Sequence, residues 1–483
     1  MLFDSIHYLI FLSIVFVLNY LLPHKFRWVL LLVASLYFYL VAGASTIFVA
    51  LIIVISTFIC GLLLDRGKNA KTKKFYLLIG LFINLGLLAF FKYINFFIAT
   101  SFDGFNMMHH FVNTGEVFDK TPIVLTLLVP LGISYITFQA IGYLIEINRG
   151  NYSAERNLGL FTTYLLFFPK LLSGPIERAH NFLPQLLQKH DFDYSQVVQG
   201  LKRILWGLFL KLVVANRLAL YTSAVFSTSE QHTGITLLVA AVFFMFQLFA
   251  DFGGYTEMAI GSAQILGFRL MENFNNPFVS KSTTELWRRW HISLSTWFSD
   301  YVFNPIVIDK RDWNRWSVVY ASFVTFLLLG FWHGANWNFL IFGFLQALVL
   351  SLEFLTKKSR KKLRNHFPDF VNNIVGVLYV IAFFSFSLIF FNINDTNTAF
   401  SIIKKIFTFR GSFYFDSPSL ILYSVIGIFT LLLVQYKREY YKGNFSFTNN
   451  KSWIVRYFIY CSLILLILLI GVFDGGQFIY FKF

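Results

Sequence analysis

The chain has little charge and almost no cysteine for its length. Of its 483 residues, 13% are Asp, Glu, Lys or Arg, and two are cysteines. Soluble domains carry about 25% charged residues, so water is not the main surrounding of this chain. Cys60 and Cys461 both lie within apolar blocks, which favours buried packing residues over a disulfide or a metal-binding pair.

The sequence also lacks the motifs that mark common classes of soluble enzymes. It has no G-x-S-x-G nucleophile elbow, no H-E-x-x-H, no G-x-x-x-x-G-K-S/T and no cysteine cluster. We therefore expect no metal site and no bound cofactor. Any chemistry must rest on isolated polar side chains within apolar sequence.

The chain contains long apolar runs. It is 57% hydrophobic, and the runs at 45–64 and 75–91 approach the length of a helix that crosses about 30 Å of hydrocarbon. We predict an all-α polytopic membrane protein with about eleven transmembrane helices plus re-entrant or interfacial helices. Its single integral membrane domain (1–483) would contain N-terminal helices (1–120), a core (121–345) and C-terminal helices (346–483).

The net charge of +16 lies in short loops between apolar blocks, and this distribution argues against a nucleic-acid partner. The basic clusters at 65–74, 357–364 and 437–451 indicate the cytoplasmic side, where anionic lipid head groups are the expected partner. The acidic loop 101–120 would then lie outside. The first span is predicted at 5–22.

The middle of the chain is irregular between 158 and 306. Four prolines and a glycine pair would break or kink helices there (Pro169, Pro175, Pro184, Pro277, Gly253 and Gly254). Broken helices at membrane depth survive where protein shields them or where they line a wet cavity, so we expect the function there. A transporter is disfavoured, because repeat symmetry and charged pairs within the spans are both lacking.

Two of the ten histidines are candidates for chemistry. His291 lies in WRRWHISLSTW (287–297), and His333 lies between two apolar blocks in LLLGFWHGANWNFLIFG (327–343). A histidine at membrane depth is costly unless it faces a cavity or a partner. The alternative is a neutral ring bonded to a backbone carbonyl or, for His291, an interfacial position. A histidine ring that faces a cavity can instead take a proton from a hydroxyl as the hydroxyl attacks an acyl donor.

Two acids flank the glycine pair in the same irregular region. Asp251 and Glu257 could orient a group or bind a cation. Pairing with nearby arginines is the favoured interpretation.

Several long stretches, in order, carry a resemblance. LWRRWHISLSTWFSDYVFNPI (286–306) and GFWHGANWNFLIFG (330–343) resemble the signature of the membrane-bound O-acyltransferase family, in particular its bacterial branch with the alginate O-acetyltransferase membrane subunit. Four further stretches agree with it (130–150, 167–186, 251–278 and 475–483).

The resemblance implies a ring of tilted helices around a tunnel through a thin centre. His333 would be the catalytic histidine and His291 the second one. It further implies that an acyl thioester, acetyl-CoA, meets an acceptor from the opposite side in the multi-pass inner membrane of a bacterium. An extracytoplasmic esterase-like protein would then pass the acetyl group to a cell-surface or secreted polysaccharide.

Other residues of these motifs are assigned to substrate. Arg288, Arg289 and Trp290 would bind the anionic donor near the cytoplasmic mouth, with lipid phosphates as the rival partner of the arginines. Asn336 and Trp337 would orient the imidazole or the carbonyl. Three tryptophans are expected to anchor the segment at the membrane interface (Trp287, Trp290 and Trp297).

Alternatives stay open at this point. An acyl group could rest covalently on a histidine, Ser173 or Tyr135. D-alanyl transfer to teichoic acid, a lipid or polysaccharide transporter with His333 as proton relay, and a scaffold subunit are other functions. The amphipathic segment 392–418 would be an interfacial helix or a docking helix for a partner.

Overall fold

The computed structural model describes residues 1–112, 124–172, 174–408, 410–415, 417–441 and 452–473, and no β-strand occurs within these ranges. The first helices are α1 (Ile6–Leu21), α2 (His24–Gly43), α3 (Ile47–Arg66), α4 (Ala70–Leu88) and α5 (Ile94–Val112). The next are α6 (Ile133–Arg149), α7 (Leu158–Leu166), α8 (Phe168–Leu171), α9 (Ala179–Leu187), α10 (Tyr194–Leu208), α11 (Asn216–Ser227) and α12 (Gly234–Ile265).

The second half is helical in the same way. It contains α13 (Thr283–Arg289), α14 (Ile292–Phe298), α15 (Asn304–Asp309), α16 (Arg315–His333), α17 (Trp337–Leu355), α18 (Lys357–Arg364), α19 (Asp369–Asn392), α20 (Thr396–Thr408), α21 (Pro418–Tyr440) and α22 (Trp453–Ile470). Three π-helical segments lie between these helices (Ala89–Tyr93, Phe209–Ala215 and Ser299–Phe303).

Nine helical stretches in the described residues are long and apolar enough to cross a membrane, which confirms the all-α polytopic prediction. They are His24–Arg66, Ala70–Asn106, Tyr194–Ser227, Gly234–Ile265, Arg315–His333, Trp337–Leu355, Asp369–Asn392, Pro418–Tyr440 and Trp453–Ile470. His24–Arg66 contains two successive helices, and α1 is a shorter apolar helix. The division of the chain at 120 and 345 stays a prediction.

The long helix α12 lies at the centre of the fold and packs against α10, α11, α19 and α20. A Cβ on Gly254 would lie 2.8 Å from the carbonyl oxygen of Gly207, and one on Gly261 would lie 2.6 Å from that of Gly200. Small residues at such positions allow two helices to approach closely at membrane depth. The predicted break at Gly253 and Gly254 is therefore wrong, because α12 runs through both and uses Gly254 for contact with α10.

Short helices confirm the irregular middle elsewhere. Helices α7, α8, α9, α13, α14 and α15 have nine residues or fewer, so none of them can cross about 30 Å of hydrocarbon. The external loop predicted at 101–120 differs, because α5 continues to Val112 and residues 113–123 lie outside the described ranges.

A buried ion pair corrects another prediction. Lys211 Nζ lies 2.7 Å from Asp251 Oδ1, and both side chains are buried within candidate spans. Charged pairs within the spans therefore exist, and the argument against a transporter that relied on their absence is wrong. Charges at membrane depth pair with each other because an isolated charge there is costly. Of the two cysteines Cys60 is buried as predicted, whereas Cys461 is exposed on α22.

Candidate functional site

The segment that contains His291 is a pair of short helices joined by a strained turn. Helix α13 begins after Ser282, whose side chain accepts a hydrogen bond from the amide of Glu285, and it ends at Arg289, just before Trp290. His291 then adopts the left-handed conformation, with φ 44° and ψ 53°, before α14 begins. This conformation costs an L-residue about 1–2 kcal/mol, so the surrounding structure must hold it in place.

The contacts that hold this turn come from residues 273–275. Asn273 accepts the amide of Ile292 on its backbone oxygen at 2.8 Å, and its side-chain oxygen accepts the hydroxyl of Ser293 at 2.6 Å. Ser293 accepts the amide of Ile176 in turn, at 3.0 Å. The turn is therefore bound on both sides, and the His291 ring is directed into the protein, where it is 1% exposed. Burial lowers the pKa of His291.

His333 is placed differently, as the last residue of α16. Lys92, within the π-helical segment, donates to the carbonyl oxygens of Trp332 at 2.7 Å and His333 at 3.0 Å, and the Tyr93 hydroxyl donates to that of Trp332 at 3.3 Å. The last carbonyls of a helix have no partner within the helix, so a cation there satisfies them and complements the helix dipole. The His333 ring is buried beside Phe391, with ring centroids 4.9 Å apart.

The fold brings the two histidines together around Trp332. The centroid of the Trp332 ring lies 6.1 Å from that of His291 and 4.8 Å from that of His333. Tyr135 completes the group, 5.8 Å from Trp332 and 6.4 Å from His291. We call these four residues, Tyr135, His291, Trp332 and His333, the histidine cluster.

Polar atoms of His291, Trp332 and Tyr135 have no hydrogen-bond partner among the residues that the structure describes. In the described part of the chain, neither ring nitrogen of His291 has a hydrogen bond to another residue, and the same holds for the Tyr135 hydroxyl and the indole N–H of Trp332. Buried polar atoms are normally hydrogen-bonded, and an exception calls for an explanation, of which a catalytic role is one. The cluster therefore offers acceptors and donors to a substrate within an apolar surrounding.

The two predicted donor-binding arginines have different surroundings. Arg289 contacts Glu439 at 2.9 Å and Glu285 at 2.9 Å, and the hydrogen bond to Glu439 raises its pKa. Arg288 is exposed and forms no ion pair within the described ranges. Arg289 thus joins α13 to α21, whereas Arg288 has its guanidinium available to an external anion.

The tryptophans of the segment are not interfacial anchors, and that prediction is wrong. Trp287 is buried and donates to Gln346 at 3.1 Å. Trp297 is buried and stacks on Phe138 at 4.1 Å. Trp290 is also buried, among the aromatic rings of Phe249, Phe274 and Phe384. The core around this segment is built from aromatic side chains, and the three indole rings pack within it.

The remaining sequence candidates lie at the start of α17. Asn336 caps this helix by accepting the amide of Asn338 at 2.8 Å, and its amide group donates to the carbonyl of Asn394 at 2.9 Å. Trp337 is exposed, and the centroid of its ring lies 5.7 Å from that of Phe96. These contacts give both residues a structural explanation, while their assignment to substrate stays a prediction.

The acids that flank the glycine pair are engaged in ion pairs. Glu257 lies 2.7 Å from Arg203, which confirms the favoured interpretation, and Asp251 pairs with a lysine instead of an arginine. Ser173 and residues 475–483 lie outside the described ranges.

Sequence reasoning missed three residues of the site. Lys92 lies in an apolar run, and a lysine there is a candidate by default. Trp332 directly precedes His333, but nothing local distinguishes it from other tryptophans. The role of Asn273 depends on a pairing with the His291 turn that only the fold creates.

Comparison with known proteins connects this geometry to a family. Residues 157–393 match the model of the membrane-bound O-acyltransferase family. The chain is 35% identical to a probable alginate O-acetylase of Azotobacter vinelandii over 353 residues, which are 72% of this chain and 68% of that protein. It is 28% identical to a peptidoglycan O-acetyltransferase of Helicobacter pylori, over 79% of this chain and 74% of that protein. Its identity to a teichoic acid D-alanyltransferase of Bacillus subtilis is 32%, over 48% and 61% of the two chains.

Proposed function

The chain belongs to the membrane-bound O-acyltransferase family, and we propose that it transfers an acetyl group from acetyl-CoA towards an extracytoplasmic polysaccharide with His333 as the general base. The observation that carries this proposal is the histidine cluster. Two histidines that are far apart in sequence contact one tryptophan in a buried site, where the polar atoms of His291, Trp332 and Tyr135 have no hydrogen-bond partner among the described residues.

In the proposed reaction His333 accepts the proton of an acceptor hydroxyl while the hydroxyl oxygen attacks the thioester carbonyl. The new C–O bond forms, the C–S bond breaks, and the thiolate leaves and takes up a proton. A positioned base contributes about 10²–10⁴-fold to such a step. The end of α16 is held by Lys92, so the ring projects from a fixed backbone.

The other members of the histidine cluster have roles that follow from their hydrogen-bonding groups. The indole N–H of Trp332 and the hydroxyl of Tyr135 are donors, and donors of this kind stabilise the charge that develops on a carbonyl oxygen. The His291 ring lies 6.1 Å from the Trp332 ring, and in this proposal His291 lines the path of the substrate. The Tyr135 hydroxyl is also the alternative place for a covalent acyl group.

The direction of transfer follows from the predicted topology. The basic loops would place α13 and its exposed Arg288 near the cytoplasm, where a thioester donor is made. Arg288 would contact a donor phosphate, because a guanidinium matches the geometry of that group. On the opposite side an esterase-like partner would receive the acetyl group, and α20 is a candidate surface for its docking. We place the protein in the cytoplasmic membrane of a bacterium.

A second candidate function is D-alanyl transfer to teichoic acid, which the similarity to a teichoic acid D-alanyltransferase supports. Both reactions need the same base and differ in the acyl group. Chemical identification of the group that is released by mild base separates them, since one yields acetate and the other D-alanine.

The experiment that tests the proposal measures base-labile acetate on envelope and secreted polysaccharide. Cells with the intact protein are compared with cells that carry His333→Ala, at equal protein levels in the membrane. We expect acetate to fall to the level of a deletion strain, and the fraction that loses it identifies the acceptor.

His366→Ala is the matched control. His366 is exposed, its ring forms a hydrogen bond with the backbone oxygen of Lys362, and its loss should leave acetate unchanged. Unchanged acetate in the His333 variant would contradict the assignment of the general base. Loss of D-alanine in place of acetate would select the second candidate function.

A further inference from the structure

A large apolar groove lies away from the histidine cluster, between the end of α17, the basic helix α18 and the start of α19. Its volume is about 600 Å³, and its walls include Val349, Leu352, Val371 and Val375. Leu352 and Val375 are exposed, and this region belongs to helices that are apolar enough to cross a membrane. The groove is therefore open towards lipid and wide enough for a ligand with an apolar chain.

Basic side chains surround the same groove. Lys281, Arg360 and Arg364 line it together with the apolar walls. Within the described ranges neither Lys281 nor Arg364 pairs with a carboxylate, and the Nε atom of Arg360 is buried without a hydrogen-bond partner. A Cβ on Gly376 would lie 2.8 Å from the backbone oxygen of Lys281, so this glycine lets Lys281 lie directly against α19.

Among the described residues that line the groove, Glu353 is the one acid, and its carboxylate already has hydrogen-bond donors. The carboxylate of Glu353 accepts the amides of Thr283 at 2.8 Å and Thr284 at 3.0 Å, and the hydroxyl of Thr284 at 2.7 Å. These donors belong to the N-terminus of α13, where a negative charge is stabilised by the helix dipole. Arg360 lies 3.9 Å from the same carboxylate. The groove thus keeps a net positive charge.

We propose that this groove binds an anionic phospholipid, with the phosphate between Lys281 and Arg364 and an acyl chain along Leu352, Val371 and Val375. The combination of apolar walls and basic side chains matches a ligand that has both a phosphate and a hydrocarbon chain. A soluble phosphate compound would not use the walls, and a zwitterionic lipid would not use the full charge. The proposal is independent of the acyl-transfer reaction.

The test compares lipid binding to the full-length protein in detergent. Native mass spectrometry with added phosphatidylglycerol or phosphatidylcholine counts the bound lipid molecules. The double variant Lys281→Gln/Arg364→Gln should weaken phosphatidylglycerol binding about tenfold or more, because it removes both cations that would contact the lipid phosphate. Val375→Trp, which fills the groove without a change of charge, should weaken it as well.

The matched control is Lys357→Gln/Lys361→Gln, which removes the same charge from α18 at exposed positions that do not line the groove. This control should bind phosphatidylglycerol as the intact protein does. Equal weakening by both double variants would overturn the proposal, since it would reflect attraction to a basic surface alone. Equal binding of phosphatidylcholine, or unchanged binding to the Val375 variant, would overturn it too.

Discussion

The two histidines of the cluster lie against the same tryptophan but are held by opposite means. His333 ends a membrane-crossing helix, and the ammonium group of Lys92 holds the carbonyls of that helix end. His291 lies on a left-handed turn between two seven-residue helices, and the turn is held by hydrogen bonds that Ile292 and Ser293 donate to Asn273. One histidine therefore has a relaxed backbone, and the other has a strained one.

This difference predicts which substitutions each of the two positions should tolerate. At His333 the backbone is helical and suits many residues, so only the ring can explain the choice of histidine. At His291 both the ring and the unusual conformation could matter. Strained residues that persist at a functional site are held by the structure around them, and the strain alone does not reveal what the side chain does.

Substitution of His291 by alanine and by glycine separates the ring from the backbone and has the largest expected effect. Both changes remove the imidazole, but glycine adopts positive φ without cost, so the glycine variant should be more stable by about 1 kcal/mol. We expect acyl transfer to fall about 100-fold in both variants if the ring takes part in the chemistry. Rates per folded protein, with stability measured by thermal unfolding in detergent, provide the check.

The opposite outcome is equally informative. Near-normal transfer by the glycine variant, together with a defect in the alanine variant, would show that His291 serves the turn and not the reaction. The two histidines would then differ in role as well as in conformation, and His333 would remain as the base.

Substitution of Lys92 tests whether the end of α16 must be held in place for His333 to act. Lys92→Met keeps the volume of the side chain but removes both hydrogen bonds to the end of α16. We expect kcat to fall about tenfold with little change in the donor KM, since each lost bond to a charged group is worth about 1.5–3 kcal/mol and only part of that reaches the ring. Kinetics of the purified protein measure both constants.

A conservative variant and a surface control complete this test. Lys92→Arg retains a cation and should recover part of kcat. Lys74→Met changes an exposed lysine of the same helical stretch and should have no effect. A rise in KM with normal kcat in Lys92→Met would contradict a positioning role, because it would place the ammonium group in contact with the donor.

The parts of this molecule that could be predicted from sequence are those that depend on local composition. Apolar runs predict spans because the bilayer thickness fixes their length, and His333 stands out as a polar residue next to such a run. The break predicted at Gly253 and Gly254 failed because a glycine in a helix can serve close packing as well as a bend. The partner helix α10 decides between the two.

Only part of the candidate site could be predicted from the sequence. His291 could be named from its motif, but its left-handed turn, its contact with Trp332 and the support from Asn273 are long-range features. Several tryptophans close together in sequence resemble an aromatic belt, which predicts an interfacial position. Packing against neighbouring rings buries these tryptophans instead. Contacts between distant segments cannot be deduced from either segment alone.

The smallest expected effect distinguishes the two arginines that precede the His291 turn. Arg288→Gln should raise the donor KM about two- to fivefold and leave thermal stability unchanged, because an exposed charge contributes at most about 1 kcal/mol. Arg289→Gln should lower stability instead, since it removes the cation that joins Glu285 on α13 to Glu439 on α21. Steady-state kinetics and thermal unfolding of both variants test this division. An unchanged KM for Arg288→Gln at low salt, where exposed charges are least screened, would assign Arg288 to lipid phosphates and leave the donor with another site.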